Sequence, residues 1–407
     1  MTETIVRIGF LPLVDSAILI AAHEMGFAAA QGLRLDLSRE ASWANIRDKL
    51  VYRHFDAAHM LAGLPIAATL GLSRAPTPLL APFSLGLNGN AVTLATRLAA
   101  GIEAACGIAL DPDRPAEVAR ALAVEVARRR FNGLPLLRLG IVHRFSSHNY
   151  ILRYWLAFAG LDPDRDVQLV IVPPPLMADA LAADEIDGFI VGEPWSSVAV
   201  AAGTGRIVAL GCRIWQRGIE KVLGVRADWA DANADTLSAL LRALDAAAAW
   251  CGNAANRGVL TGLLARPEYL DKPAAMIAGI LSGQLATGAG TTADAPDFLV
   301  YYKGAANFPW VSQALWLYSQ MVRWDQVVPS AAAEAAVRGV FRPDLYRRAV
   351  GGGPTPVPGA NAKVEGALRT PIAVGSRAGR LSIGPDIFFD RRSFDPDHLD
   401  AYLAGLV

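Results

Sequence analysis

The chain has 407 residues, 53% of them hydrophobic and 19% charged, and its 38 Lys and Arg balance 38 Asp and Glu for a formal net charge of +0. That composition excludes a disordered chain, and the charge balance argues against non-specific binding to nucleic acid or to acidic membranes. The length leaves room for two or more lobes with substantial cores.

No run of about eighteen apolar residues is free of charge, so no transmembrane helix is expected. The start, Met1-Thr-Glu-Thr-Ile-Val-Arg-Ile-Gly-Phe, carries an acid where a secretory leader carries basic residues. The apolar stretch that follows is broken by Arg7, Pro12 and Asp15, and no lipid-attachment cysteine stands near it. Cytoplasmic residence is therefore the expectation. Cys106, Cys212 and Cys251 are odd in number and lack CxxC spacing, which reads as buried or reduced thiols.

In chain order, Val6 to Leu11 reads as a first strand, and Asp15 as the N-cap of a helix from Ser16 to Ala30 that Gly32 ends. The alternating run Leu33-Arg-Leu-Asp-Leu is a second strand, and Ser42 caps a helix from Trp43 to about Arg53. Phe55 to Leu61 is a strand, Pro65 to Leu70 a short helix, and Pro78 to Phe83 another strand. Such alternation implies a parallel, doubly wound sheet. Ala91-Val-Thr-Leu leads out of this lobe into a helix-rich part from Thr96 to Arg130. A second α/β lobe follows: strand Leu137 to Val142, a helix that Ser146 and Ser147 cap and Gly160 ends, strand Val167 to Val172, helix Leu176 to Ala183, and strand Ile186 to Gly192. Beyond Leu210 long helices are expected over Ala234–Leu264, Ala306–Trp324 and Ala331–Val350, with a loop at Gly351 to Gly359 and a short helix at the end.

Several motifs fail on context. His23-Glu24 is followed by Phe27 where a zinc protease needs its second histidine. Gly203-Thr-Gly205 lacks a third glycine and precedes a strand, so it is no dinucleotide fingerprint. There is no Gly-x-Ser-x-Gly elbow, no Walker sequence and no paired Cys/His cluster. What remains is a strand delivering the chain to a helix N-terminus at Ser146, Ser147 and His148, where free N–H groups and a partial positive charge suit an anion. Trp43, Asn90, the turn Gly192-Glu-Pro-Trp195 and Lys221 also fall at strand ends or helix starts. Singly, each has an ordinary structural explanation; together they surround a possible cleft.

The stretches Ala41-Ser-Trp-Ala-Asn-Ile-Arg-Asp-Lys-Leu, Asp56-Ala-Ala-His-Met-Leu, Ser147-His-Asn-Tyr-Ile-Leu-Arg-Tyr-Trp-Leu, Val191-Gly-Glu-Pro-Trp, Gly224-Val-Arg-Ala-Asp-Trp and Phe388-Phe-Asp with Phe394-Asp-Pro resemble the nitrate/bicarbonate-binding proteins of ABC transporters. The resemblance runs from about Ile8 to the last helix, interrupted near residues 97–136, 283–300 and 351–380. It implies a two-lobed, venus-flytrap fold of the type II periplasmic-binding-protein kind with extra C-terminal helices, residues 1–92 and 220–407 forming lobe I and residues 93–219 lobe II. It also implies that Trp43, Asn90, Ser147, His148, Gly192 and Lys221 hold the ligand. Asn90 stands where the family commonly has glutamine, which gives the same amide on a shorter arm. Nitrate binders resemble this chain at Lys221, whereas bicarbonate relatives tend to carry an acid there.

Nitrate is planar, singly charged and weakly hydrated, so an aromatic face, convergent N–H donors and one cation suit it. Without a recognisable leader, the chain is most similar to the cytoplasmic NasS-type sensors of nitrate and nitrite, which hold an ANTAR-class RNA-binding antiterminator (NasT-type) inactive until ligand arrives. That reading expects no enzyme activity, no cofactor, no metal, no direct nucleic-acid contact and no membrane contact. The alternatives are the binding component of a nitrate ABC transporter and an enzyme resembling the thiamine-pyrimidine synthases, although the chain lacks a cysteine-rich iron-site motif.

Overall fold

Short apolar runs bounded by turn residues build two five-stranded sheets, ordered β2-β1-β3-β11-β4 and β10-β6-β9-β7-β8 in the computed structural model. The structure describes residues 3–72, 75–288 and 290–406; Met1 and Thr2 of the start read above lie outside them. Lobe I opens with β1 (Thr4–Phe10), α1 (Ala17–Glu24), β2 (Leu33–Arg39), α2 (Trp43–Val51), β3 (Ala57–Leu61), α3 (Gly63–Thr69) and β4 (Leu79–Ser84). After the two-residue β5 (Leu87–Asn88), β6 (Asn90–Ala95) already pairs in the second sheet. Lobe II continues with α4 (Thr96–Cys106), α5 (Pro115–Phe131), β7 (Leu137–Ile141), α6 (Ser147–Phe158), β8 (Val167–Ile171), α7 (Met177–Ala182), β9 (Gly188–Gly192), α8 (Trp195–Ala201), β10 (Gly205–Leu210) and the single turn α9 (Gly211–Ile214). The chain then returns to the first sheet as β11 (Lys221–Arg226).

The sheets are mixed rather than wholly parallel. β1 runs parallel to β2 and β3, and β7 parallel to β8 and β9. The two crossing strands run the other way: β6 is antiparallel to β9 and β10, and β11 to β3 and β4. Each leaves one lobe at the cleft and enters the next sheet from its cleft end, against the direction of the βαβ strands. The crossing falls at residues 88–90, slightly before the expected boundary at 92. β3, β4, β6, β9 and β11 are buried along their whole length, as near-continuous apolar strands covered on both faces should be.

The C-terminal part contributes α10 (Ala227–Ala232), α11 (Ala234–Cys251), α12 (Arg257–Leu264), α13 (Ala274–Ser282), the hairpin β12 (Gln284–Gly288) and β13 (Thr291–Asp294), β14 (Leu299–Val300), α14 (Val311–Arg323), α15 (Ala331–Arg338) and α16 (Pro343–Val350). Four short strands and α17 (Leu399–Ala404) complete it. The long helices expected here are interrupted. Ala234–Leu264 breaks at Gly252-Asn253, Ala331–Val350 breaks between Gly339 and Pro343, and Ala306–Trp324 becomes helical only at Val311, past Pro309. The helix expected to run to Ala30 stops at Glu24, before Gly26 at φ +76°.

The tail does more than extend lobe I. Phe388 stacks on Trp215 at 4.8 Å between ring centres, and Tyr154 of α6 reaches Asp390 through a 2.7 Å hydrogen bond. The last segment therefore packs on lobe II as well as lobe I. The lobes also meet tightly at Gly63, the first residue of α3: a Cβ there would stand 2.2 Å from the carbonyl oxygen of Phe145.

Candidate functional site

Every ligand position expected from the sequence lies at one place, between the cleft ends of the two sheets. Trp43 opens α2, where Ser42 caps the helix by accepting from the Asn45 amide at 3.2 Å. Ser147 and His148 form the first turn of α6, capped in the same way by Ser146 and the Asn149 amide at 3.1 Å. Asn90 starts β6 and pairs across the sheet with Gly192, the last residue of β9. Lys221 starts β11 opposite Leu61. Both crossing strands thus contribute their first residue, and the βαβ strands their carboxyl ends, where open α/β sheets bind ligands. Trp43, Asn90, Ser147, His148 and Lys221 are at most 3% exposed, so the lobes are closed over them.

Three residues that the sequence reading did not assign to the ligand complete the site. Lys221 Nζ donates to Asp15 Oδ2 at 2.8 Å and to Glu220 Oε1 at 2.6 Å. His59 Nε2 stands 3.0 Å from Asp15 Oδ1, and its Nδ1 accepts from the Leu11 amide at 3.4 Å. Glu220 accepts from His148 Nδ1 at 2.6 Å, Ser147 Oγ at 2.7 Å and Asn90 Nδ2 at 3.0 Å. Asp15 does not cap a helix, because its side chain is spent on Lys221. The signal available for these residues was chemical: an aspartate in Leu13-Val-Asp-Ser and a histidine inside the apolar Ala57-Ala-His-Met-Leu strand need buried partners.

Electrostatically the site is a chain of alternating sign. Burial alone would raise the Asp15 and Glu220 carboxyls, but the Lys221 ammonium beside both, with His59 and His148, outweighs it and holds both below their ordinary values. Burial would likewise lower Lys221, and the two carboxylates overcome that to raise it. His59 goes the other way, because burial outweighs its Asp15 neighbour and lowers it. One ammonium between two carboxylates carries a net charge of −1 before either histidine is counted. The Lys221 ammonium also lies 5.4 Å from the centre of the Trp43 ring, which meets the His59 ring edge-on at 5.3 Å.

Among the described residues, Trp43 Nε1, Asn90 Oδ1 and His148 Nε2 are buried without a hydrogen-bond partner. Buried polar groups are nearly always paired, and each unpaired one costs about 1–3 kcal/mol. With Asp15 Oδ1 and His59 Nε2, which also lack a hydrogen bond, they make a polar seat between the lobes. Gly192 lies against the same cluster: a Cβ there would stand 3.4 Å from Asp15 Oδ2 and 3.7 Å from Lys221 Nζ, ordinary contact distances. No group of three or more His, Cys, Asp or Glu among the described residues is placed to hold a metal ion.

Two lobes, two crossing strands and a polar seat buried between them define a binding protein of the periplasmic-binding-protein fold. The chain belongs to the NMT1-like family, whose model matches residues 2–265. It is 31% identical to the nitrate/nitrite binding protein NrtA of Synechococcus elongatus over 98% of this chain and 86% of that protein. It is 36% identical to the nitrate import ATP-binding protein NrtC of Synechocystis over 84% of this chain, which spans about half (49%) of that longer relative. The crystal structure of the periplasmic nitrate-binding protein NrtA from Synechocystis superposes with a TM-score of 0.86, at 28% identity, covering 100% of this chain and 99% of that one. The resemblance to the nitrate/bicarbonate-binding proteins stands, and the NrtA relatives matched over most of their length are binding proteins, not enzymes.

Proposed function

We propose that this chain binds nitrate or nitrite in the closed cleft, with the Trp43 face, His148, Asn90 and the Lys221 ammonium as the groups that receive it. The buried, unpartnered Trp43 Nε1 and His148 Nε2 near Lys221 carry this reading, since an indole N–H, an imidazole edge, an ammonium and an aromatic wall meet at one place. The NrtA relatives, named for nitrate and nitrite, support the same ligand. Lys221 sets the choice of anion: a carboxylate in its place would repel nitrate and accept a hydrogen bond from bicarbonate. Calorimetric titration with nitrate, nitrite and bicarbonate tests it. The first two bind and bicarbonate binds more weakly; equal binding of all three defeats the assignment of Lys221.

For the output, the reading carried forward from the sequence is a cytoplasmic sensor. Ligand shifts the population toward the closed lobes and releases a NasT-type, ANTAR-class antiterminator that binds the open form, and any RNA contact belongs to that partner. The names of NrtA and NrtC favour a second reading, in which the closed protein delivers its anion to an ABC transporter. Cell fractionation and a pull-down with and without nitrate separate them. Recovery in the cytoplasm with a partner lost on adding nitrate supports the sensor; recovery at the membrane or in the periplasm supports the transporter.

A further inference from the structure

Glu220 is anchored by four side chains at once: His148 and Lys221 on Oε1, Asn90 and Ser147 on Oε2. Burial pushes its carboxyl up, but Lys221 and His148 outweigh that and keep it ionised, so both oxygens are acceptors only. The hydrogen shared with His148 therefore sits on Nδ1. An imidazole so fixed has two remaining states. In the neutral ring Nε2 carries a lone pair; in the imidazolium it carries N–H. Nε2 is the buried, unpartnered atom of this histidine among the described residues, and it belongs to the seat assigned above to the anion. A lone pair repels an oxyanion, whereas an N–H donates to it.

We propose that Glu220 is a positioning residue that commits His148 to capture the anion as an imidazolium, so that binding of nitrate or nitrite is linked to a proton on His148 Nε2. The proposal rests on the reading of the cleft as a nitrate/nitrite site. The proton comes from solvent, because nitrate itself brings none. The site's charge requires it: Asp15, Glu220 and Lys221 sum to −1, and a protonated His148 brings the cluster to zero before the anion enters.

The surrounding groups do not take that role. Glu220, just before β11, faces His148, with Lys221 beside it, Asp15 and His59 beyond Lys221 in lobe I, and His143 in the turn before α6. Burial, with Arg47 and Arg144, pushes His143 down to about 4, and burial lowers His59. Both are biased to the neutral ring.

The test is calorimetry of the full chain with sodium nitrate between pH 6 and 9, in pairs of buffers that differ in ionisation enthalpy. The expected result is uptake of up to one proton per nitrate, with affinity falling about tenfold per pH unit at the alkaline end. Glu220→Gln keeps the shape, removes the charge and weakens nitrate roughly ten- to a hundredfold at neutral pH, with acid restoring part of the loss. Nitrogen NMR of the histidines without ligand gives an independent reading: Nδ1 stays protonated throughout the titration and Nε2 titrates, and the thermal melt of the variant reports its folding. Nitrate binding with no proton uptake and a flat pH profile overturns the linkage while leaving the site intact. Tighter nitrate binding by Glu220→Gln also overturns it, since Glu220 would then be a competitor for the seat. A parent chain that binds no nitrate or nitrite defeats the underlying reading instead.

Discussion

The chemistry of the cleft is decided by single side chains, and Lys221 bears most of it. Its ammonium holds two buried carboxylates ionised, so replacing it leaves Asp15 and Glu220 without their principal counter-charge. Lys221→Met, close in volume, is expected to abolish nitrate binding and to cost about 3–5 kcal/mol of stability at pH 8, where both buried acids lose the ammonium that balances them. The deficit shrinks toward pH 5 as burial drives protons onto them, and urea midpoints at the two pH values read it. Glu193, in the turn after β9, has the opposite sign. Burial raises its carboxyl from 4.5 to about 7, against the Ser197 amide that favours the charge. A raised acid stabilises the fold below the unfolded value of 4.5 and loses that contribution as pH climbs through about 7. Glu193→Gln should therefore be more stable than the parent at pH 8, on the order of 1–3 kcal/mol, and similar to it near pH 4. A midpoint difference that does not change between those pH values would contradict the assignment.

At the scale of elements, the placement of the site depends on where helices begin. Ser42 and Ser146 were legible as caps because a small hydroxyl before an amphipathic run satisfies an otherwise free amide, and both make that bond. Ser146→Ala is expected to cost about 1 kcal/mol in chemical denaturation and to loosen the turn that carries Ser147 and His148, with nitrate affinity falling alongside. Element type and order in both lobes could be read from alternating apolar runs. Strand direction could not, since periodicity does not say from which end a crossing strand enters a sheet. Helix lengths beyond residue 234 were over-read for a related reason. Ala and Leu sustain the pattern through Gly252 and Gly339, and tertiary packing decides that the chain turns there. At the site, the residues at helix starts and strand ends were visible, while Asp15, His59 and Glu220 were not. Their role comes from long-range pairing, Asp15 with Lys221 across 206 residues and Ser147 with Glu220 across 73.

For the molecule as a whole, the proposed capture of the anion depends on how closely the lobes approach. Gly63 and Phe145 meet across the cleft with no space for a side-chain carbon, so Gly63→Ala acts as a wedge rather than a core defect. It should bind nitrate more weakly than the parent and show a larger radius in small-angle scattering with nitrate present; an unchanged radius with unchanged affinity would mean the lobes close without that contact. The tail from Phe388 to Asp390 adds a tie on the far side by packing on α6 and Trp215, so relative motion of the lobes has to carry or release it. The central claim, that Lys221, His148 and Trp43 form an anion seat selective for nitrate and nitrite, is tested most directly by calorimetric titration of the parent and the Lys221→Met and His148→Ala variants with nitrate. Saturable binding by the parent that is lost in both folded variants is the expected result, and variants that bind nitrate as well as the parent would contradict it.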